Sequence, residues 1–145
     1  MTKRRVIGKG GRLPWNIPEE ASLFKKTTEG SVVIMGRKTF LDVGVLSGRK
    51  TIVVSRTLGA RKGIEVCGSL GEALEKAGDY GREIFIIGGG EIFAQSLNLA
   101  DRMYISYIRK DYDGDAFFPE FDEQSWKAVE RKDYEEFEQV VYVRA

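Results

Sequence analysis

Histidine is absent from the 145 residues. That removes the commonest general base, the Ser-His and Cys-His nucleophile systems, and most zinc sites. Cys67 is the only cysteine, so no internal disulfide can form and the chain suits a reducing compartment. No apolar run approaches the ~18 residues of a membrane span, and the basic N-terminus lacks the apolar core of a signal peptide. Neither sign of charge is in excess, since 23 Lys and Arg stand against 22 Asp and Glu. A polyanion such as nucleic acid is therefore not expected as the main partner, although single basic residues can still bind phosphate locally. Together the absences predict a cytoplasmic protein with no metal, nucleic-acid or membrane partner.

What is present is a globular composition, 42% hydrophobic and 31% charged. The length suits one domain over residues 1–145, large enough to bury a core without staples. No repeat or linker divides it. Ser31–Met35, Thr51–Ser55 and Glu83–Ile87 read as buried strands, with helical spacing over Pro18–Thr28, Arg37–Val43, Leu70–Ala77 and Glu91–Leu97. Arg102–Ile108, Trp126–Lys132 and Glu136–Val143 alternate apolar and polar residues, with Asp113-Gly-Asp115 as a turn between two of them. The fold class is α/β: a mostly parallel central sheet flanked by helices, then a C-terminal antiparallel hairpin. In such sheets ligands sit outside the carboxyl ends of the strands.

Three strand ends carry candidate chemistry. Gly88-Gly89-Gly90 follows a buried strand, where glycine permits close approach and the next helix offers free N–H groups. It reads as a diphosphate cradle or as a tight turn. Met35-Gly-Arg-Lys-Thr39 puts Gly36 at a strand end, and Arg37, Lys38 and the Thr39 hydroxyl in the first turn of a helix. Cations oppose the dipole there, so the turn either binds an anion or is a solvated basic start. Ser55-Arg56 is a third such end, and phosphates gathered from three ends suggest a dinucleotide bearing a 2′-phosphate.

Leu13-Pro-Trp-Asn-Ile-Pro-Glu-Glu20 opens a helix, with Pro18 in its first turn and Asn16 or nearby backbone as cap. Glu19 and Glu20 suit the dipole, which accounts for them without any function. Glu20 also shares a face with Phe24, and a carboxylate on an apolar face needs a hydrogen-bonding partner such as a heterocycle with N–H donors. Glu19 is expected to face water.

In order, Val6-Ile-Gly8, Leu13-Pro-Trp15, Val33-Ile-Met-Gly-Arg37 with Thr39, Gly48-Arg49, Ile87-Gly-Gly-Gly90 and Asp113-Gly-Asp115 with Phe118-Pro119 resemble the dihydrofolate reductase signature. Each motif alone is weak, but the ordered set, from about Val6 to the C-terminus, is specific. The resemblance implies NADPH-dependent reduction of dihydrofolate in one-carbon metabolism, by a monomer whose only ionisable catalytic side chain is Glu20. Glu20 matches the acid that binds the pterin edge, with a water delivering the proton. Ser106 falls where a Thr usually supports that acid. Ala21, Phe24, Val43 and Leu46 match the apolar walls, and Arg49 the fork on the substrate's glutamate carboxylate.

For the cofactor, the resemblance implies contacts from Gly36, Arg37, Lys38, Thr39, Ser55 and Arg56, and from Ile87, Gly88, Gly89, Gly90, Glu91, Ile92 and Phe93, with a cis Gly88–Gly89 peptide. Ile7, Arg12 and Trp15 match a mobile loop over the nicotinamide, held by Asp115. Phe93 stands where many members have Tyr, and Glu91 where some have Arg. Members also carry an apolar central strand, about seven residues long, ahead of the position of Met1. Lacking it, the sheet is expected to have a gap, with self-association possible. Two alternatives follow: an impaired NADPH-binding or interaction protein, and the pyrimidine reductase of riboflavin synthesis, against which the Leu13-Pro-Trp15 helix argues.

Overall fold

The structure, a computed structural model, describes residues 1–145. Its strands are β1 (Val6–Gly8), β2 (Val32–Gly36), β3 (Lys50–Val54), β4 (Ile64–Cys67), β5 (Ile84–Gly88), β6 (Arg102–Ile108), β7 (Ala116–Phe117), β8 (Trp126–Asp133) and β9 (Phe137–Arg144). The helices are α1 (Pro18–Thr28), α2 (Arg37–Val43), α3 (Leu70–Gly78) and α4 (Gly90–Ser96).

The apolar β-branched runs form a four-stranded parallel sheet in the order β4-β3-β2-β5. Val32, Val33, Ile34 and Met35 of β2 are all fully buried, as a strand between two neighbours with both faces covered must be. Ile34 and Ile52 pack on one face with Leu70, Ala73 and Ala77 of α3 and Ile92 of α4. Val33, Met35 and Val53 pack on the other with Phe40 of α2. Ser69 caps α3 by accepting from the Glu72 N–H. The sheet therefore aims the ends of β2 and β5 at the starts of α2 and α4.

The alternating C-terminal runs form an antiparallel sheet in the order β6-β9-β8. Met103, Ile105, Val140 and Tyr142 pack on Trp126, while Ile108 and Phe137 pack on Trp15 and Ile17. Four differences from the sequence reading stand out. Strand β4 was not anticipated: it is a four-residue edge strand interrupted by Glu65, too short to show a period. Strands β1 and β7 pair only with each other, at Val6–Phe117 and Gly8–Ala116. Asp113-Gly-Asp115 is no hairpin turn of the antiparallel sheet, because β6 pairs with β9; the segment leads into β7. Ile17, and not Asn16, is the N-cap of α1, and no side chain caps it.

The two larger sheets do not hydrogen-bond to each other. Between β5 and β6 runs a seam crossed by the Phe85 and Tyr104 rings, 5.8 Å apart. Met1 alone enters it with its backbone. Its nitrogen donates to the Ser106 carbonyl at 2.5 Å, and its carbonyl accepts from the Ile108 N–H at 2.8 Å. That is the parallel ladder pattern, with Met1 set opposite Tyr107.

Candidate active site

Pro18 at the first turn starts α1 just after Ile17, which is anchored among Trp15, Ile108 and Phe137. That anchoring fixes the rotation of the helix, leaving Glu19 exposed and Glu20 half-buried. Burial holds the Glu20 carboxyl above the usual carboxylate range, opposed by the Met1 ammonium and by a hydrogen bond from Ser106. The Met1 ammonium is itself lowered to about 6 by burial, with Glu20 opposing the shift. Glu20, Ser106 and the Met1 nitrogen thus converge where α1 meets β6. Trp15 is buried, its ring 5.8 Å from that of Tyr112, and its indole N–H has no partner. A buried donor without a partner is costly, so a polar ligand group or a water at that position would be stabilised.

Beyond Glu20 the surface stays apolar without being covered. Ala21 and Phe24 are exposed on α1, Val43 is exposed at the end of α2, and Leu46 is half-buried against the Val33–Val53 cluster. Arg49 is held at the rim. Its Nε and Nη2 donate to the Ser47 carbonyl at 3.1 and 2.9 Å, and Nη1 donates to Thr28 Oγ1 at 3.1 Å. A guanidinium has five N–H donors, so two remain for a ligand while the plane is fixed.

The ends of β2 and β5 meet on the other side. A Cβ on Gly36 would lie 3.3 Å from the Ile92 side chain and 3.8 Å from the Gly89 nitrogen. One on Gly88, where φ is +140°, would lie 3.2 Å from Thr39 Oγ1. Glycine at both places lets α2 and α4 begin side by side, with their free N–H groups together. Gly88–Gly89 is cis. Gly90 has a different reason to be glycine, since its Cβ would sit 2.7 Å from the Phe117 carbonyl oxygen of β7. Arg37 and Lys38 are exposed without ion pairs, and no acid lies in the first turn of α2. Ile87 packs under this junction, Ile92 is buried, the Phe93 ring lies 4.9 Å from that of Phe118, and Glu91 is exposed.

After β3, Ser55 Oγ accepts from the Thr57 and Leu58 N–H groups, so it builds the turn that presents Arg56. Arg56 is exposed and has no ion pair. Ile7 lies half-buried on β1, and Arg12 closes the next loop by backbone bonds with Lys9. The Gly10 N–H donates to both carboxylate oxygens of Asp115, at 3.3 and 3.1 Å. Sequence reasoning missed Met1 at the acid and Thr28 under Arg49, and no spacing signal marks either.

The parallel α/β sheet thus carries basic, glycine-lined strand ends on one side and the half-buried Glu20 carboxyl on the other, an arrangement of the kind found in nucleotide-dependent enzymes. The dihydrofolate reductase family model matches residues 1–144. Dihydrofolate reductase of Bacillus subtilis is 39% identical over 131 residues, covering 89% of this chain and 77% of that one. Dihydrofolate reductase of Haemophilus influenzae is 39% identical over 127 residues, covering 87% and 79%. The structure of dihydrofolate reductase from Enterococcus faecalis, complexed with NADP(H) and RAB-propyl, superposes with a TM-score of 0.90 at 31% identity, over 99% of this chain and 91% of that one. The chain belongs to the dihydrofolate reductase family and is an oxidoreductase of that kind.

Proposed function

We propose that the chain reduces 7,8-dihydrofolate to 5,6,7,8-tetrahydrofolate at the expense of NADPH, serving one-carbon metabolism as a monomer in the cytoplasm. The observation that carries the reading is Glu20, a single half-buried carboxyl beside Ser106 with an apolar helix face running away from it. A pterin ring offers an N–H edge to such a carboxyl and an apolar face to Ala21 and Phe24. Arg49, with its plane fixed and two donors spare, suits the carboxylate of the substrate's tail.

The paired starts of α2 and α4 fit a dinucleotide diphosphate, since added Cβ atoms at Gly36 and Gly88 would close the junction. Arg37, Lys38 and the Thr39 hydroxyl would bind there, and Ser55-Arg56 would take the 2′-phosphate that separates NADPH from NADH. Ile7, Arg12 and Trp15, with the glycine run and Phe93, would enclose the nicotinamide end. A reduced nicotinamide held there would supply hydride to C6 of the pterin, with a proton from water going to N5. Glu20 orients the ring and favours that protonated form without touching N5, and the Trp15 N–H is the donor free to hold the water.

A second reading, cofactor binding without turnover, draws on the unpaired seam beside Ser106. Loss of reduced-nicotinamide absorbance with dihydrofolate separates the two. Turnover is expected in the parent, with a fall of at least about 10²-fold in Glu20→Gln, the lower end of a positioned proton-transfer group. No turnover in the parent overturns the enzyme reading, and equal turnover in the variant overturns the role of Glu20.

A further inference from the structure

Four cations meet where two chain segments come together at the carboxyl end of β6. Lys3 and Arg4 are the central residues of a tight turn, closed by the Arg5 N–H on the Thr2 carbonyl at 2.9 Å and anchored by buried Thr2. Arg109 and Lys110 follow β6, with the Arg109 N–H bonded to the Glu136 carbonyl at 3.0 Å. Arg4 ties the segments together. Its Nε donates to Asp111 at 3.2 Å, and its Nη2 to the Tyr112 carbonyl at 3.1 Å and to Asp113 at 3.2 Å.

Between the segments lies a hollow of about 280 Å³ lined by Lys3, Arg4, Arg109, Lys110 and Asp111. That is close to the ~300 Å³ lower bound of small-molecule sites, which suits a compact ion. Four positive side chains against one negative leave a surplus of three. Like charges gathered round one hollow repel, and a cleft lined by one sign concentrates counter-ions. The neighbouring hollow shares Arg109 and Lys110 but adds Glu135 and Glu136, so the surplus is confined to the side of Lys3 and Arg4.

The donors are held in place. Arg4 uses Nε and Nη2 within the protein, while Arg109 uses only Nη2, on Asp133 at 2.8 Å and the Tyr134 carbonyl at 3.2 Å. Of the five N–H groups on a guanidinium, two on Arg4 and three on Arg109 therefore stay unbonded. Lys3 and Lys110 form no ion pair. The ion pairs of Arg4 and Arg109 are exposed, so their acids compete only weakly with a multiply charged ligand.

We propose that this hollow binds inorganic diphosphate, gripped by the forks of Arg4 and Arg109 and flanked by the Lys3 and Lys110 ammonium groups. Two linked phosphoryl groups carry about three negative charges near neutral pH, which matches the surplus. Guanidinium forks also match paired phosphoryl oxygens. No apolar side chain lines the hollow, so a nucleoside has nothing there to stack on. The site shares no residue with the paired starts of α2 and α4, and its occupancy does not depend on the reduction reading.

The test follows backbone amide shifts of the full chain during titration with sodium diphosphate. Saturable shifts are expected at Lys3, Arg4, Lys110 and Asp111, with a Kd below about 1 mM. Combining Lys3→Gln with Lys110→Gln is expected to weaken this binding at least tenfold; both lysines are exposed and unpaired, so the fold is kept. Arg56→Ala is expected to leave it unchanged. No saturation at millimolar concentration overturns the proposal, as do shifts confined to Arg37–Thr39 and Arg56. Undiminished binding by the double variant overturns it too, and so does equal saturation by sulfate, which would mean unspecific ion pairing. Tighter binding of adenosine diphosphate at the same four amides overturns it in favour of a nucleotide.

Discussion

Gly114→Ala is expected to destabilise the fold by about 1–3 kcal/mol, the range for overpacking a filled site. Gly114 lies against β1 so closely that an added Cβ would sit 2.3 Å from Val6 Cγ1 and 2.5 Å from the Gly8 carbonyl oxygen. Ordinary contact begins at 3.4 Å, so the shortfalls are 1.1 and 0.9 Å. Neither neighbour can yield alone. Val6 is fully buried, and the Gly8 oxygen already accepts from the Asp115 N–H at 2.9 Å. The backbone must therefore move by about an ångström, which also strains the bond between Asp115 and Gly10. Urea denaturation gives the free-energy change, and a fall in Tm of roughly 3–10 °C is expected for a domain of this size. Gly71→Ala is the control: its Cβ would meet nothing closer than Ser69 Oγ at 4.0 Å, inside helix α3. That exchange is expected to stabilise by about 0.5–1 kcal/mol. An unchanged midpoint for Gly114→Ala, or equal losses for both, would refute the reasoning.

Two further outcomes follow from charge. The Met1 amine titrates at about 6 when folded, against 8.0 for the free group. The unfolded chain therefore binds more protons between those values, and stability should rise with pH from about 6 to 8, by at most about 2–3 kcal/mol. No histidine titrates in that window. Glu20, raised by burial, acts in the opposite sense, so the N-acetylated chain is the reference, and urea midpoints that climb equally in both forms would refute the assignment. Arg56→Ala is expected to raise KM for NADPH by about tenfold or more while leaving that for NADH unchanged, the loss of one charge-assisted bond. Equal changes for both cofactors in steady-state kinetics would remove Arg56 from the 2′-phosphate.

The sequence was most legible where one period holds over a whole element. Helices α1 and α2 and strand β6 fall at the boundaries their spacing predicts. Short pairings were opaque: β1 and β7 are three and two residues long, and their partnership is set by register between distant segments. Glycine gave a mixed signal for the same reason. The run at Gly88–Gly90 marked a close approach, but Gly90 is small because of Phe117, far along the chain, which no local pattern carries. In the site, Glu20 could be separated from Glu19 by helical phase with Phe24, and the structure leaves Glu20 half-buried and Glu19 exposed. Trp15, which the resemblance assigns to a loop over the nicotinamide, packs at the root of α1 with its buried N–H unpartnered, a placement that depends on Ile108 and Phe137 far along the chain. The seam between β5 and β6, where the two larger sheets share no ladder, depends on the placement of whole sheets, which no local spacing carries.

The proposed reaction is direct transfer of hydride from NADPH to the pterin beside Glu20. It is tested most directly by following isotope from NADPH deuterated at the reactive C4 position into the product. Deuterium at C6 of tetrahydrofolate, one atom per turnover and none from deuterated water at that carbon, is the expected result. Product formed without deuterium at C6, or deuterium acquired there from solvent, would contradict the account.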